Sequence, residues 1–441
     1  MKEISNENYH MPKQRSSCYC RDAGLSRRKW SCAGISAAVA SARCGAKTML
    51  VERYGCFGGA LSVGQVESYT WYFNKNTYTA QGISKEIEDR MIKIGGVQDD
   101  DRGCGHFLNP EKYKYMLDCW IQEEGITPLL HTLVVDVIME GKTVKGVIVE
   151  NKSGRGAILA DRIVDATGDG DVAALAGAAY EKGENNNGKV LPVTMVFGVS
   201  GVDTKTFRDY IESHPEMTNP DTHGLKLPFR RAKADGKWPV ERDGGAWKEL
   251  TPTGEFTSLN LTLENGIDGT NVWDLTHAEI QGRQQVMWAV DVLRNYAKEM
   301  GFANCSLRSI AGQIGIRETR RIQGGYSICR RDVLGHSEFD DSIGVYTTFI
   351  DGEVVSKDDA HFQLPYRMIL PNGIENLSVA GRCASCDDDA IQTVRMMVCC
   401  ATTGQAAGTA SALSIKDDVV LRDLDIHTLQ NQLVADGVRI R

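Results

Sequence analysis

Small and apolar side chains recur at helical spacing over residues 33–45, and this run ends in Gly45, a residue that commonly stops a helix. A short apolar run follows over residues 47–52 and ends in a carboxylate, Glu52. A run of this length beside a helix pattern is typical of a buried strand. The two patterns together predict a helix that leads into a strand with an acidic residue at its carboxyl end.

Strand and helix patterns continue to alternate along the rest of the chain. The sequence predicts helices over 110–124, 280–300 and 390–413, a β-meander over 127–150, and buried strands over 162–166 and 377–380. Residues 200–300 are more polar and indicate a separate lobe. This alternation predicts an α/β fold.

Composition narrows the class of protein. With 441 residues, 42% hydrophobic and 24% charged, the chain is globular and long enough for two or three domains. Its net charge of −8 argues against a nucleic-acid partner bound through bulk charge. We find no run of apolar residues long enough for a membrane span and no signal-peptide core, so we expect a cytoplasmic protein. The 13 scattered cysteines predict neither a disulfide framework nor a metal site.

The first helix and strand carry half of a dinucleotide-binding signature. Glu52 lies 18 residues after Gly34, close to the spacing of about 20 at which an acid binds a ribose. The preceding strand and its first two glycines are missing, because residues 27–32 contain charged side chains and a tryptophan. Such a segment cannot form a buried parallel strand. An ordinary helix with a face of small residues is the alternative interpretation.

Three further segments resemble a known family. Glycines follow Glu52 over residues 52–59, residues 165–171 follow a buried strand, and residues 376–382 lead to a helix that contains Gly404 and Gly408. Over about 33–200 and 305–435 the chain resembles FAD-dependent oxidoreductases of the glutathione-reductase type, in the broad group related to fumarate reductase flavoproteins. The resemblance implies FAD as cofactor. It also implies a Rossmann-like FAD/NAD(P)-binding domain, with a three-layer ββα sandwich, and an inserted substrate lobe.

The resemblance divides the chain and assigns cofactor contacts. It implies an FAD domain from 33–75, 110–200 and 370–441, a substrate lobe from 76–109 and 201–369, and a poorly readable segment over 1–32. The residues implied to contact the adenosine or the pyrophosphate are Ala33, Gly34, Glu52, Arg53, Gly58, Gly59, Val135, Ala166, Thr167, Gly168 and Asp169. Those implied on the flavin side are Gly381, Arg382, Gly404 and Gly408. For Asp169 and Asp171, capping of a helix N-terminus is an equally good interpretation.

The altered segment 27–32 suggests a hypothesis about the gene. With suitable codons, reading one base later gives Gly-Gly-Asn-Gly-Pro-Ala, which together with Gly34 completes the expected glycine fingerprint. We therefore hypothesise a short upstream frame-shift that returns to frame near Ala33. Natural divergence, with residues 1–32 as a solvated tail, is the alternative. A real lesion would remove the central strand and the pyrophosphate turn, and the chain would bind FAD poorly.

Candidate catalytic residues come from three places. Residues 315–321 contain three arginines and a glutamate, which suggest either an anion clamp that includes Arg317 or an internal ion-pair network. Arg395 is a second candidate for contact with substrate or cofactor, and His361 is the preferred proton-transfer group. Cys383 and Cys386 form a C-x-x-C pair that is either redox-active beside the flavin or simply buried.

We expect an FAD-dependent oxidoreductase that transfers a hydride between a small organic substrate and flavin N5, with re-oxidation by an unknown acceptor. The alternatives are a flavin-dependent hydroxylase, a non-redox flavoenzyme, and a degenerate chain that has lost FAD binding. A homo-oligomer is possible. Neither a nucleic acid nor a membrane is expected as partner, and region 200–300 should set substrate specificity.

Overall fold

The computed structural model describes residues 19–22, 32–70, 81–99, 105–214, 225–351, 353–355 and 360–441, and of 19–22, 70, 246–250 and 354–355 only the backbone. The helices are α1 Cys32–Arg43, α2 Gly59–Ser62, α3 Ile83–Lys93, α4 Pro110–Glu123, α5 Asp171–Leu175, α6 Thr204–Ser213, α7 Lys226–Ala234, α8 Val272–Tyr296, α9 Arg330–Leu334, α10 Ile391–Val394, α11 Met397–Lys416 and α12 Ile426–Ala435. None of the helices in these ranges is long and apolar enough to cross a membrane.

The strands form small sheets around one parallel sheet. They are β1 Tyr19–Asp22, β2 Met49–Glu52, β3 Ser68–Thr70, β4 Val97–Asp99, β5 Gly105–Leu108, β6 Thr127–Leu129, β7 Leu133–Glu140, β8 Thr143–Asn151, β9 Gly154–Leu159, β10 Ile163–Asp165, β11 Tyr180–Lys182, β12 Phe197–Ser200, β13 Ala246–Leu250, β14 Phe256–Asn260, β15 Ser306–Ile310, β16 Arg320–Ile322, β17 Ser342–Thr347, β18 Phe349–Ile350, β19 Val354–Val355, β20 His361–Pro365 and β21 Leu377–Val379.

The central sheet has five parallel strands in the order β21-β10-β1-β2-β6. Strand β1 lies at its centre, with Tyr19 opposite both Met49 and Ile163. The expectation that the chain lacks a central strand is therefore wrong. That strand lies upstream of the charged segment. The frame-shift hypothesis concerns residues 27–32, of which 27–31 lie outside the described residues. The predicted α/β fold is confirmed.

The predicted meander is displaced by one strand. Strand β6 pairs in parallel with β2 in the central sheet, whereas the antiparallel meander consists of β7, β8 and β9. The chain leaves the central sheet between Leu129 and Leu133. This exit brings the start of β7 close to the carboxyl end of β2, where Glu52 lies.

Helices α1 and α11 pack closely against each other. A Cβ atom on Gly404 would lie 2.2 Å from the carbonyl oxygen of Ala33, and one on Gly408 would lie 2.1 Å from that of Ala37. Both distances are shorter than any non-bonded contact, so only glycine allows this helix separation. The two glycines therefore serve helix packing, and their predicted contact with the flavin stays a prediction.

A second hydrophobic core is built from residues between 193 and 316. It lies between the antiparallel sheet β13-β14-β12-β15 and helix α8. The first hydrophobic core contains residues of the central sheet, among them Val51, Val164 and Val379. Residues 83–108 and 322–369 supply apolar side chains to this first core, although they were predicted to belong to the substrate lobe. The division into two domains stays a prediction.

The predicted helix over 390–413 is interrupted. Helix α10 ends at Val394, Arg395 is its C-cap, and Met396 is in an extended conformation before α11 begins. The interruption holds Arg395 at a corner between two helices.

Candidate functional site

The carboxyl end of β2 holds a buried acid. The side chain of Glu52 is 0% exposed, and its Oε1 atom accepts a hydrogen bond of 2.9 Å from the backbone N–H of Tyr54. The backbone N–H groups of Thr132 and His131 donate to the carbonyls of Glu52 and Tyr54, each at 3.0 Å. These bonds fix the start of β7, where Val135 lies, beside the predicted ribose-binding acid.

Arg53 connects this loop to the second core. Its guanidinium stacks over the ring of Tyr54 at 4.2 Å and donates a 2.9 Å hydrogen bond to the side-chain oxygen of Gln313. A cavity of about 590 Å³ opens beside these three residues and is bounded on its other side by helix α8. The loop after β2 is thus part of the contact between the two cores.

The backbone conformation explains the glycines after Glu52. Gly58 and Gly59 have φ angles of 102° and 54°, values that favour glycine. A Cβ atom on Gly58 would lie 2.7 Å from the ring of Tyr113, so the close approach also excludes a side chain there. Their contact with a cofactor stays a prediction.

The turn after β10 is fixed by its own side chains. Asp165 accepts hydrogen bonds from the backbone N–H groups of Thr167 at 3.0 Å and Ala173 at 2.9 Å. The Thr167 hydroxyl accepts one from the N–H of Asp171, and Gly168 has φ 72°. Because Asp165 and Thr167 satisfy these donors, the helix-capping interpretation of Asp169 is not what the structure shows.

Asp169 is instead the centre of a buried network that joins all three motifs. Its Oδ1 atom accepts hydrogen bonds of 2.6 Å from Arg382 and 2.6 Å from the Thr319 hydroxyl. Arg382 also donates to Thr319 at 3.0 Å, and the side chains of Asp169 and Arg382 are both 0% exposed. Asp169, Thr319 and Arg382, which we call the closed network, hold the turn after β10, the segment before β16 and the turn after β21 together.

The arginine-rich segment divides between two environments. Arg320 donates to Asp171 at 2.8 Å and to the Asp169 carbonyl at 3.1 Å, while Arg321 pairs with Glu318. For Arg320 and Arg321 the ion-pair interpretation is confirmed. Arg317 lies apart from these pairs and donates a 2.6 Å hydrogen bond to the carbonyl of Pro192.

Arg317 shares its environment with two other arginines. Burial and the positive charges of Arg395 and Arg242 lower the pKa of Arg317 from its ordinary range to about 9, and the negative charge of Asp351 opposes this shift only in part. At neutral pH Arg317 therefore remains protonated next to two like charges. Arg242, Arg317 and Arg395 are called the arginine cluster below.

Two members of the cluster have few acidic partners. Arg395 is 5% exposed and donates to Asp351 at 2.5 Å. Arg242 donates to the side-chain oxygen of Asn260 and to the carbonyl of Thr262 at 3.0 and 3.2 Å, both uncharged acceptors. Burial lowers the pKa of Arg242, and Asp351 opposes that shift.

Arg242 and Asp351 were missed by sequence reasoning. They lie in segments without a motif, and only the fold brings them next to Arg317 and Arg395. No sequence signal could have found them, because their proximity to other arginines exists only in the folded chain.

Cys383 and Cys386 are both free and fully buried thiols. Burial raises the pKa of each thiol, which disfavours the thiolate needed for disulfide exchange. The structure favours the buried interpretation over the redox-active one.

His361 begins strand β20. Its ring lies 3.4 Å from a guanidinium nitrogen of Arg439, and its carbonyl accepts a 3.2 Å hydrogen bond from the ring of His336. Its role in proton transfer stays a prediction.

The ends of the two central helices meet beside the flavin-side turn. A Cβ atom on Gly381 would lie 3.1 Å from the Cβ of Ala33 and 3.6 Å from the sulfur of Cys400. Arg382 is buried, and its Nε atom has no hydrogen-bond partner within the described part of the chain. A parallel sheet with a buried acid after β2 and helix N-termini at the same edge fits an adenine dinucleotide.

Comparison with known proteins identifies the group to which this architecture is similar. The model of a family described as "FAD dependent oxidoreductase" matches residues 31–433. None of the curated protein sequences is significantly similar to the chain.

Solved structures that match this chain share little sequence with it. One is a geranylgeranyl bacteriochlorophyll reductase-like protein from Thermoplasma acidophilum, with 12% identity and a TM-score of 0.48 over 96% of this chain and 87% of that one. Another is the p-nitrophenol 4-monooxygenase PnpA from Pseudomonas putida DLL-E4, with 8% identity and a TM-score of 0.47 over 96% and 88%. The family match alone carries the assignment.

Proposed function

Because the chain belongs to the FAD-dependent oxidoreductase family, we propose that it transfers a hydride between a small organic substrate and the N5 atom of FAD. The observation that carries the proposal is the buried carboxylate of Glu52 at the carboxyl end of β2, in a parallel sheet in which helix α1 lies between β1 and β2 along the chain. FAD is the cofactor of this family and supplies the hydride chemistry when it is bound.

The residues of this chain have separate tasks in the proposal. Glu52 accepts hydrogen bonds from the ribose hydroxyls, and Arg53 closes the loop beside it onto Gln313. Residues of the turn after β10 wall the adenosine, and Gly381 and Arg382 lie along the ribityl chain. The second core closes the substrate side and excludes water. Arg317 and Arg395 orient the substrate, and His361 moves a proton.

Glu52→Gln tests the cofactor site. A hydrogen bond to a charged group contributes about 1.5–3 kcal/mol, so we expect FAD affinity to fall by about 10- to 100-fold. The measurement is titration of the apoprotein with FAD, followed by the flavin absorbance bands. Glu150→Gln, which changes an exposed carboxylate on β8, is the matched control and should bind FAD as the parent does.

Anaerobic mixing of the FAD-loaded protein with candidate organic substrates tests the reaction. Bleaching of the flavin without oxygen supports hydride transfer from the substrate. Substrate-dependent oxygen consumption driven by a nicotinamide reductant, with no direct bleaching, would instead show a hydroxylase and contradict the proposal.

A further inference from the structure

Helix α8 carries several large apolar side chains that face the solvent. Eleven large hydrophobic side chains are exposed in the described part of the chain, and four of them belong to this helix: Val272, Trp273, Ile280 and Met287. Trp273 is 77% exposed, the highest value among the eleven, and Ile280 and Met287 are 56% and 46% exposed. Single apolar side chains scattered over a surface are normal, but their concentration on one element indicates an interaction surface.

Three of these side chains lie on one line. Trp273, Ile280 and Met287 follow each other at intervals of seven residues, which is about two helical turns, so they project from the same face of α8. We call these three residues the apolar stripe. The opposite face of the helix, with Val286 and Leu293, is buried in the second core. A second apolar face with a seven-residue period is typical of a helix that pairs with another helix.

The stripe is accessible from both sides. The cavity of about 590 Å³ beside Arg53 opens on one flank of α8, and a second cavity of about 840 Å³ opens on the other flank, beside Trp288 and Tyr296. The helix therefore projects from the surface between two cavities, and another helix can approach it.

The stripe is symmetric about its middle residue. Ile280 lies seven residues from both Trp273 and Met287. An antiparallel copy of α8 aligned at Ile280 therefore places each Trp273 ring against the Met287 thioether of the other copy, and Ile280 against its own copy. A thioether beside an aromatic ring is a favourable contact. Such reciprocal pairing is the geometry of an interface between identical chains related by a two-fold axis.

The charges beside the stripe fit the antiparallel arrangement. Glu279 and Arg283 form an ion pair of 3.0 Å within α8, and the alignment sets the Glu279 of each copy beside the Arg283 of the other. It also brings Asp291 to the N-terminus of the other helix, where the helix dipole favours an acid. A parallel alignment would instead place Glu279 against Glu279 and Asp291 against Asp291.

We propose that α8 pairs with α8 of a second copy of this chain, antiparallel and centred at Ile280, to form a reversible dimer. The 25 residues of the helix span about 37 Å, and a contact about 10 Å wide along them covers roughly 400 Å² on each copy. Such an area is typical of weak interfaces, so the dimer should depend on protein concentration. An anionic lipid surface suits the helix less well, because its acids outnumber its arginines.

The experiment measures the oligomeric state of the full chain by sedimentation velocity from about 1 to 100 µM protein. We expect monomers at the lowest concentration and dimers at the highest. Ile280→Glu places two carboxylates at the two-fold axis and should raise the dissociation constant by about 100-fold or more. Val434→Glu, which puts the same charge on an exposed apolar site of α12, is the matched control and should dimerise as the parent does. Both variants change exposed side chains and should keep the thermal midpoint of the parent.

Cysteine cross-linking determines the orientation of the two helices. Ile280→Cys lies on the two-fold axis and should form a disulfide with its own copy. Trp273→Cys should cross-link to Met287→Cys when the two variants are mixed, and not to its own copy. The parent chain, oxidised in the same way, is the control for the native cysteines.

Three results would overturn the proposal. The first is a parent chain that stays monomeric at about 100 µM, whether or not it binds vesicles of anionic lipid. The second is a dimer that Ile280→Glu leaves intact, and the third is cross-linking of Trp273→Cys to its own copy, which shows parallel pairing. None of these measurements involves flavin reduction or a substrate, so their outcome is independent of the proposed function.

Discussion

Arg317 and Arg320 lie three residues apart on one segment, yet the fold places them in opposite electrostatic surroundings. Arg320 reaches Asp171 at 2.8 Å beside the closed network, in which every charge has a partner. Arg317 lies next to Arg242 and Arg395 with one partly exposed carboxylate nearby. Compensated buried charge holds the turns of the fold in place, whereas the surroundings of Arg317 disfavour its charged form. Variants of the closed network and of Arg317 test this difference.

Asp169→Asn should produce the largest effect. It leaves the buried guanidinium of Arg382 without its counter-charge, and breaking a buried pair in this way costs about 3–5 kcal/mol of the free energy of unfolding. Urea denaturation of the FAD-free protein measures this loss. The double variant Asp169→Asn/Arg382→Gln should recover part of it. A loss under about 1 kcal/mol in the single variant would show that the closed network does not stabilise the fold.

Arg320→Gln and Arg317→Gln sharpen the comparison within one segment. Arg320→Gln removes a partly buried pair and should lower the free energy of unfolding by about 1–3 kcal/mol. Arg317→Gln removes a charge that its neighbours repel, so its unfolding free energy should equal or exceed that of the parent. Urea denaturation of both variants under one condition decides the order. The reverse order would show that Arg317, and not Arg320, stabilises the folded protein.

The pH dependence of the free energy of unfolding should give the smallest effect. Burial and the positive charges of Arg395 and Arg242 lower the pKa of Arg317 to about 9 in the folded protein, below its value in the unfolded chain, while Asp351 opposes the shift. The folded chain therefore loses this proton first, and the repulsion between the arginines is present below about pH 9 and is relieved above it. The contribution of Arg317 to the free energy of unfolding should therefore be constant from about pH 6 to 8 and become more favourable above about 9.

Urea denaturation of the parent and of Arg317→Gln across this pH range checks the expectation. The difference in unfolding free energy between the two should be constant from about pH 6 to 8 and shift in favour of the parent above about 9. A difference that changes between about pH 6 and 8 would mean that another group controls it.

Much of the fold could be predicted because local patterns specify it. The small-residue run of α1, the apolar strand ending in Glu52, and the Asn109-capped helix α4 lie within a residue or two of the predicted positions. Strand β1 could not be found, since Tyr19–Asp22 is too short and too polar to resemble a buried strand. It is defined by its pairing with β2 and β10 rather than by its own composition.

The site was only partly predictable for a related reason. The segments 165–171, 315–321 and 376–382 were all recognised, but the pairing of Asp169 with Arg382 depends on how the chain returns to the central sheet. Arg242 lies in no motif, and its neighbours Arg317 and Arg395 are remote from it in sequence. The interruption between α10 and α11, which positions Arg395, has no glycine or proline to indicate it.

The packing of α11 against α1 also determines when this protein can fold. The segment of helix α1 is made early in synthesis, but its surface of small side chains is covered by Gly404, Gly408 and their neighbours. Those residues leave the ribosome only after most of the chain has been made, since contacts between such distant segments must wait for both. The packing of α1 is therefore completed at the end of synthesis, and a nascent chain that stops before Met397 exposes an apolar helix surface to chaperones and to aggregation.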